Sequence, residues 1–500
     1  MIDVSPAPSA GSRPHRPWLA ALLSFAFPGL GQAYAGKYGA ALILALPVLL
    51  LAVAVTAVLT GAIGGLRNSL LANDFLIGVL AANGVLLAWR GVGIAHAGLT
   101  PWPDIQGHDR RTSVMAVAGL LVVTIAMHAW VGGVVVQLND TLAQVFGDDG
   151  RRGGSVAPPE DSDDGEPAEP VNQPEYRWDG TERINVLLLG TDAAPGRDAV
   201  LTDVVLVVSV DPVARTAVMI SVPRDTGFVP LPDESLFTGG LFPEKVNELA
   251  ARASAQPETW CPDLASEAEA CGLRTIERSV GLYLGIDIHH YALVDMAGFA
   301  EMIDAVGGLD LCLPGRLVDP EFDGSLENRE LDQPLVLPAG CHLYNGLDAL
   351  AYARSRKGWI EMADGDRVPQ SDFERNERQQ RVLLALRGEL AEADTLLELP
   401  GILRAIARTV STDFPRDRAG DLASLLPLIA GPDIERVVLG HPEFVDLPAQ
   451  PDVNYLLIPR REAIREEMAR IFGSDELSGW YLGTDASAPG DEPAAGTLTP

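Results

Sequence analysis

Lysine is nearly missing: Lys37, Lys245 and Lys357 are the only three in 500 residues. Cations of any kind number 37 against 68 acids, for a net charge of −31. A chain this acidic is not a general nucleic-acid binder, whose footprint is a basic face set against phosphates. Cysteine is scarce too. Cys261, Cys271, Cys312 and Cys341 include no C-x2-C pair, and the only adjacent histidines are His289 and His290. That disfavours a closed thiolate zinc site. No Ser-His-Asp or Cys-His nucleophile set is evident, and no internal repeat marks a solenoid.

Apolar residues are abundant, at 47%. A mean hydropathy of +0.14 alongside 21% charged residues points to a split chain, one part lipid-soluble and one part water-soluble. Residues 1–17 are polar, and 18–136 form a membrane region. Three stretches there, 40–60, 75–95 and 114–136, reach the ~20 apolar residues that cross a bilayer. Arg90 lies near the end of the second and is expected to snorkel to the interface. A fourth stretch, 18–34, is shorter and broken by Phe27-Pro28-Gly29-Leu30-Gly31. With four spans the C-terminal part faces the cytoplasm. With three spans and a re-entrant or interfacial first segment, Arg13, Arg16, Lys37, Arg90, Arg110 and Arg111 lie inside and only Arg67 outside. The positive-inside rule prefers the second arrangement. It predicts a multi-pass plasma-membrane protein with a cytoplasmic N-terminus and an extracytoplasmic C-terminal domain.

Residues 137–181 read as an acidic, Pro-rich linker. From 148 to 180 there are ten acids against three arginines, and such a stretch cannot bury enough surface to offset its ordering entropy. The tail 475–500 reads the same way and is expected to be disordered. All four cysteines fall in the outer part, which fits two disulfides. Of three possible pairings, the spacings favour Cys261–Cys271 as a local staple and Cys312–Cys341 as a longer one.

Between these segments, apolar runs at 184–190, 204–210 and 216–222 are continuous rather than alternating, as in strands covered on both faces. Helical patterns follow at 245–254, 273–284, 297–306, 346–353 and 372–391, with further strands at 290–294 and 309–313. The interleaving predicts an α/β domain with a central mixed β-sheet flanked by helices. It covers 182–393, and a mostly helical block, 394–474, closes it.

Seven motifs stand in order: Gly190-Thr191-Asp192, Thr202-Asp203, Ser221-Val222-Pro223-Arg224-Asp225, Lys245-Val246-Asn247, Val306-Gly307-Gly308, Ala349-Leu350-Ala351-Tyr352-Ala353-Arg354-Ser355-Arg356 and Asp372-Phe373-Glu374-Arg375-Asn376-Glu377-Arg378-Gln379-Gln380. Together they resemble the LytR–CpsA–Psr family over about two-fifths of the chain. The resemblance implies an extracytoplasmic domain that binds a polyprenyl-pyrophosphate-linked glycopolymer. It also implies transfer of that glycopolymer, as a phosphodiester, to peptidoglycan.

Asp192 and Asp203 stand at neighbouring strand ends, where two carboxylates suit Mg2+ on a diphosphate. The bland alternative is turn chemistry. Arg224 follows Pro223 and offers a two-pronged phosphate grip. Lys245 and Asn247 lie near a helix start, where N–H groups favour anions. Arg354 and Arg356 diverge by about 200° on a continuing helix but point one way on an extended segment, and Gly358 suggests that the helix is ending. Arg375 and Gln379 share a helix face, and the resemblance makes them the inward pair. Arg224, Lys245, Arg354, Arg356 and Arg375 would then neutralise a diphosphate. Positioning and charge supply most of the catalysis in phosphoryl transfer, so the catalytic set is expected to be Arg224, Arg354, Arg356, Arg375 and Gln379. The prenyl tail needs an apolar tunnel, with candidates Val205, Val207, Met219, Ile276, Val280, Phe299, Ile303 and Leu383.

The chain departs from the family pattern at Leu201, where the family usually has arginine two residues before the motif aspartate. Arg197 substitutes only if its loop folds back. Two other readings therefore stand beside the transferase: a non-catalytic, regulatory binder of polyprenyl-phosphate lipids, and a polyprenyl pyrophosphatase using water as acceptor.

Overall fold

The computed structural model describes residues 16–59, 73–99, 108–146, 178, 180–191, 201–322, 334–392, 399–422, 425, 434–448, 455–474 and 477. The chain divides into two units, Met1–Asp140 with Asp417–Gly420, and Thr141–Arg416 with Asp421–Pro500.

The first unit is helical: α1 (Pro17–Ala26), α2 (Leu30–Tyr34), α3 (Tyr38–Leu59), α4 (Asn73–Leu99) and α5 (His108–Phe146), the last running on into the second unit. The break between α1 and α2 falls at Pro28, which has no N–H to continue a helix. Two helices, Asp74–Leu99 and Arg110–Phe146, are long and apolar enough to cross a bilayer; Tyr38–Ala54 is shorter. Large apolar side chains stand exposed on all three, among them Leu42 and Leu50, Val85 and Val92, and Met115 and Val122. Polar groups point inward instead. Buried Ser24 donates to Gln32 Oε1 at 2.8 Å, and Gln32 Nε2 donates to the Gly93 carbonyl at 2.8 Å. This inverts the water-soluble pattern. Arg90 of α4 reaches α1. Its Nη2 donates to the Phe25 carbonyl at 2.8 Å, one of those that the last turn of α1 leaves open.

The second unit runs β1 (Ile184–Thr191), β2 (Thr202–Asp211), β3 (Thr216–Ser221), β4 (Val229–Pro230), β5 (Leu241–Phe242), α6 (Val246–Ala255), α7 (Pro257–Trp260), α8 (Ala268–Leu284), β6 (His290–Asp295) and α9 (Met296–Ala305). It continues through β7 (Leu309–Leu313), β8 (Arg316–Asp319), β9 (Leu335–Leu337), β10 (Gly340–Tyr344), α10 (Gly346–Arg354), β11 (Trp359–Glu361), β12 (Arg367–Pro369) and α11 (Asp372–Glu392). It closes with α12 (Leu399–Thr409), β13 (Val410–Thr412), β14 (Glu435–Val438) and α13 (Arg461–Phe472).

The central sheet is mixed, in the order β13-β6-β1-β2-β3-β14. β1 is antiparallel to β2 and parallel to β6, and β3 is antiparallel to β2. The carboxyl ends of β1, β3 and β6 and the amino end of β2 therefore meet at one edge. Both faces are covered, as the continuous apolar runs required. Leu187, Leu189, Val205 and Val207 join Val246, Ile276, Val280 and Met468 on one face. Phe299 and Ile303 of α9, Leu350 of α10, and Val382 and Leu386 of α11 form the core on the other. Each such aliphatic side chain stabilises by about 1.5–3 kcal/mol.

Among its described residues the 394–474 block is more helix than strand, but it is not helix alone. Besides α12 and α13 it supplies β13 and β14, the two outer strands of the sheet. At three and four residues they are too short to show a period of two. Residues 137–146, expected to open the linker, instead continue α5; most of the remaining linker and of the tail lies outside the described residues. Both expected disulfides are formed, Cys261–Cys271 between buried residues and Cys312–Cys341 across the β7–β10 pair.

Candidate functional site

At the edge where the four strand ends meet lies a cavity of about 440 Å3, lined by Leu201, Asp203, Arg224, Met296, Asp319, Glu321, Phe322, Arg354, Arg356, Lys357, Arg375 and Gln379. Five cations face three carboxylates there, an inverted balance in a chain of net charge −31.

Each side chain arrives by a local rule. β3 ends at Ser221, and Arg224 follows Pro223 out of the sheet. Its Nη1 donates to Asp203 Oδ1, across at the start of β2, at 2.6 Å. Burial works against its charge, but Asp203, Asp372 and Asp225 together hold the guanidinium above its ordinary pKa. α10 begins under an Asn345 cap, whose side chain accepts the Asp348 N–H at 2.9 Å. It ends at Arg354, with Ser355 extended at φ −55°, ψ 139°. Both Arg354 and Arg356 consequently line the cavity.

α11 starts with a capping box. Glu374 Oε2 accepts the Ser371 N–H at 2.8 Å while Ser371 Oγ accepts the Phe373 N–H at 3.2 Å. Glu377 pairs outward with Arg381 at 3.1 Å. The two glutamates are thereby occupied, and Arg375 and Gln379 turn to the cavity. Arg375 is 3% exposed. Its Nη1 lies 2.9 Å from Asp372 Oδ1, while its Nε and Nη2 are buried without a hydrogen-bond partner. Burial pulls its pKa down, against the opposing pull of Asp372.

Lys245 and Asn247 do not line the cavity. Lys245 precedes α6, and its Nζ lies 2.7 Å from Asp225 Oδ1. Asn247 is buried; its N–H donates to the Arg224 carbonyl at 3.3 Å and its carbonyl accepts from Thr202 Oγ1 at 3.3 Å. Both brace the Arg224 turn from behind. Burial, with Asp372 adding to it, raises the Asp225 carboxyl against the pull of Lys245. Of the two aspartates expected to hold metal, Asp203 is on the cavity wall, and Asp192 lies outside the described residues, as does Arg197. Lys357, Asp319 and Glu321 also line the cavity, unforeseen from sequence. Lys357 adjoins the Arg354-Ser355-Arg356 motif and was legible from it. The two acids, Asp319 at the end of β8 and Glu321 just past it, are more than thirty residues away and carried no signal.

A second, apolar pocket of about 60 Å3 adjoins the first and shares Met296, Arg354 and Gln379 with it. Leu188, Gly190, Val204, Phe299 and Leu383 are among its walls. At Gly190 a Cβ would stand 2.7 Å from Val204 Cγ2, so a larger residue would crowd this wall. The tunnel candidates split. Phe299 and Leu383 are at this pocket and Ile303 packs in the core on the same side. Val205, Val207, Ile276 and Val280 belong to the core on the opposite face. The sheet separates them because adjacent residues of a strand point to opposite sides.

Residues 154–441, more than half of the chain, match the LytR_cpsA_psr family model. Among curated relatives, the chain is 26% identical to "Polyisoprenyl-teichoic acid--peptidoglycan teichoic acid transferase TagU" of Halalkalibacterium halodurans, over 58% of this chain and 77% of that protein. It is 27% identical to "Cell wall biosynthesis protein LcpA" of Corynebacterium glutamicum, over 55% of this chain and 51% of that one. Among solved structures, B. subtilis TagV aligns with a TM-score of 0.41 and 24% identity, over 58% of this chain and 97% of that one. The chain belongs to the LytR_cpsA_psr family.

Proposed function

We propose that this protein is a membrane-anchored, extracytoplasmic transferase that moves a glycopolymer phosphate from a polyprenyl-pyrophosphate carrier to peptidoglycan. The observation that carries this reading is Arg375. It is a buried guanidinium with two donors unpartnered, on the wall of a cavity that Arg224, Arg354 and Arg356 also line. Buried donors without partners are costly, and a diphosphate supplies acceptors and charge together. The adjoining apolar pocket offers the first prenyl unit a place beside it. TagU, named for teichoic acid and peptidoglycan, supports both the donor and the acceptor class.

In this reaction the acceptor hydroxyl oxygen bonds to the phosphorus carrying the glycopolymer. The bond from that phosphorus to the bridging oxygen breaks, polyprenyl phosphate leaves with the electron pair, and the hydroxyl proton passes to a base or water. Arg224, Arg354, Arg356 and Arg375 hold the diphosphate and stabilise charge on the leaving oxygen. Gln379 orients it. Lys245 and Asn247 support Arg224 and contribute to phosphate binding through it. Mg2+ is part of the proposal: the wall carries carboxylates but, among the described residues, neither His nor Cys, which suits a hard cation. Asp203 and Asp192 would hold it, and it would supply charge to the phosphate oxygens.

The first unit is proposed as a three-span anchor, α3, α4 and α5, with α1 and α2 as a re-entrant segment. Its exposed apolar and buried polar side chains support this. Leu201, an alkyl wall where the family usually has arginine, favours a second reading, a lipid binder without transfer. Incubating the full-length protein in detergent with a polyprenyl-pyrophosphate glycan, Mg2+ and a peptidoglycan oligomer separates these by product mass. A glycan–peptidoglycan adduct is expected. Lipid bound but unchanged would replace the proposal with the second reading, and cleavage without adduct would make the protein a pyrophosphatase.

A further inference from the structure

The segment carrying Arg354 and Arg356 is held by buried charge from two sides. Asp319, at the end of β8, is 1% exposed. Its Oδ2 accepts from Ser355 Oγ at 2.8 Å and from the backbone N–H groups of Arg356 and Lys357 at 3.2 Å each. Its Oδ1 accepts the Glu321 N–H at 3.2 Å. Arg378 is also 1% exposed and takes the carbonyl side. Its Nε donates to the Tyr352 carbonyl at 2.8 Å, its Nη2 to the Ser355 carbonyl and its Nη1 to Gln370 Oε1. Gly358 completes the path: a Cβ there would stand 2.0 Å from the Val318 carbonyl oxygen, so only glycine lets the chain pass so close to β8.

A carboxylate in the wall of an anion cavity opposes the anion unless its oxygens are already committed. Those of Asp319 are, to four donors. A buried guanidinium is costly unless it is hydrogen-bonded, and Arg378 is bonded through all three nitrogens. On the N–H side and the C=O side alike, the bonds stop α10 at Arg354 and turn Ser355 extended. On a continuing helix Arg354 and Arg356 would diverge by about 200°. In this course both line the same cavity.

We infer that Asp319 and Arg378 are positioning residues that aim Arg354 and Arg356 at one diphosphate without touching it themselves. The inference rests on the proposed reading of the cavity as a diphosphate site. Its test uses the full-length protein in detergent, geranyl diphosphate as probe, and calorimetric titration. Asp319→Asn turns one acceptor oxygen into a donor and should weaken probe binding by roughly tenfold, the loss of about one charge-assisted contact. Arg356→Ala should do the same. The double variant should bind no more than about threefold more weakly than Arg356→Ala alone, because aiming a missing side chain has no effect. A general stability defect would instead multiply. Ser355→Ala removes one of the three donors on Oδ2 with little change in volume. It should show a smaller loss with the same coupling, and it decides the matter if Asp319→Asn fails to fold. Asp319→Asn or Ser355→Ala binding the probe as the unaltered protein does, or losses that multiply independently with Arg356→Ala, would overturn the inference. If the unaltered protein does not bind the probe, the reading of the cavity itself falls first.

Discussion

Arg356 and Arg375 bring the same charge to one cavity from different surroundings. Arg356 is partly exposed; Arg375 is buried and pairs with Asp372. Arg356→Ala should therefore lower transfer by about ten- to a hundredfold, for contacts of roughly 1.5–3 kcal/mol, and leave the melting temperature unchanged. Arg375→Ala also strands Asp372 beside Asp225, and should cost about 3–5 kcal/mol of stability as well as transfer. Melts and transfer assays on both variants check the contrast. His289 gives a pH-dependent case. Its Nδ1 accepts the Asn185 N–H at 2.9 Å, and burial, aided by His290, pulls its pKa from 6.5 down to about 4. As pH falls, the unfolded chain binds the proton first. Stability from this group is therefore whole above about pH 6.5 and is lost progressively down to about pH 4, by roughly 3 kcal/mol in all. His289→Asn keeps an acceptor and removes the titration. Its melting temperature should fall less than that of the unaltered protein between pH 7 and 5.

Among the elements, the two disulfides differ in exposure. Cys261 and Cys271 are 2% and 0% exposed, where the chain after α7 meets α8, while Cys312 and Cys341 lie on the open side of β7 and β10. Thiolate attack needs access, so mild reductant on the folded protein should open Cys312–Cys341 first and leave Cys261–Cys271 intact until denaturant is added. Peptide mapping after timed alkylation reads the order. Element identity was largely legible from sequence where runs were long: β1, β2 and β3 came from continuous apolar runs, and α8 and α11 from helical patterns. The cap that Ser371 and Glu374 form at the start of α11 came only with the structure, and it occupies an acid that would otherwise be free to pair with a neighbouring arginine. β13 and β14 were not legible. They become strands by pairing with β6 and β3, and pairing partners distant in sequence leave no local pattern.

For the whole molecule, the three-span arrangement predicts opposite sides for the two ends. A reporter active only in the cytoplasm should give signal when fused at the N-terminus and none when fused after residue 483. Signal from the second fusion would mean an even number of spans and a cytoplasmic domain. The cation distribution that motivates this, Arg67 alone against six on the other side, is a property of composition along the chain.

Composition and periodicity alone determined the partition into an apolar helical part and an acidic α/β part, the two-sided burial of the sheet, and the set of arginines available for a site. These depend on neighbours within a few residues, where the helix and strand periods act. Only the tertiary structure decided which cations reach the cavity. Lys245 is drawn away by Asp225, Lys357 is brought in, and Arg378 is turned inward to hold carbonyls rather than an anion. It also decided that Arg354 and Arg356 share a wall, because that rests on Asp319, 36 residues from Ser355 in sequence. A hydrogen bond between distant segments is specified by where the sheet and helices place them, and no local pattern of residues encodes it.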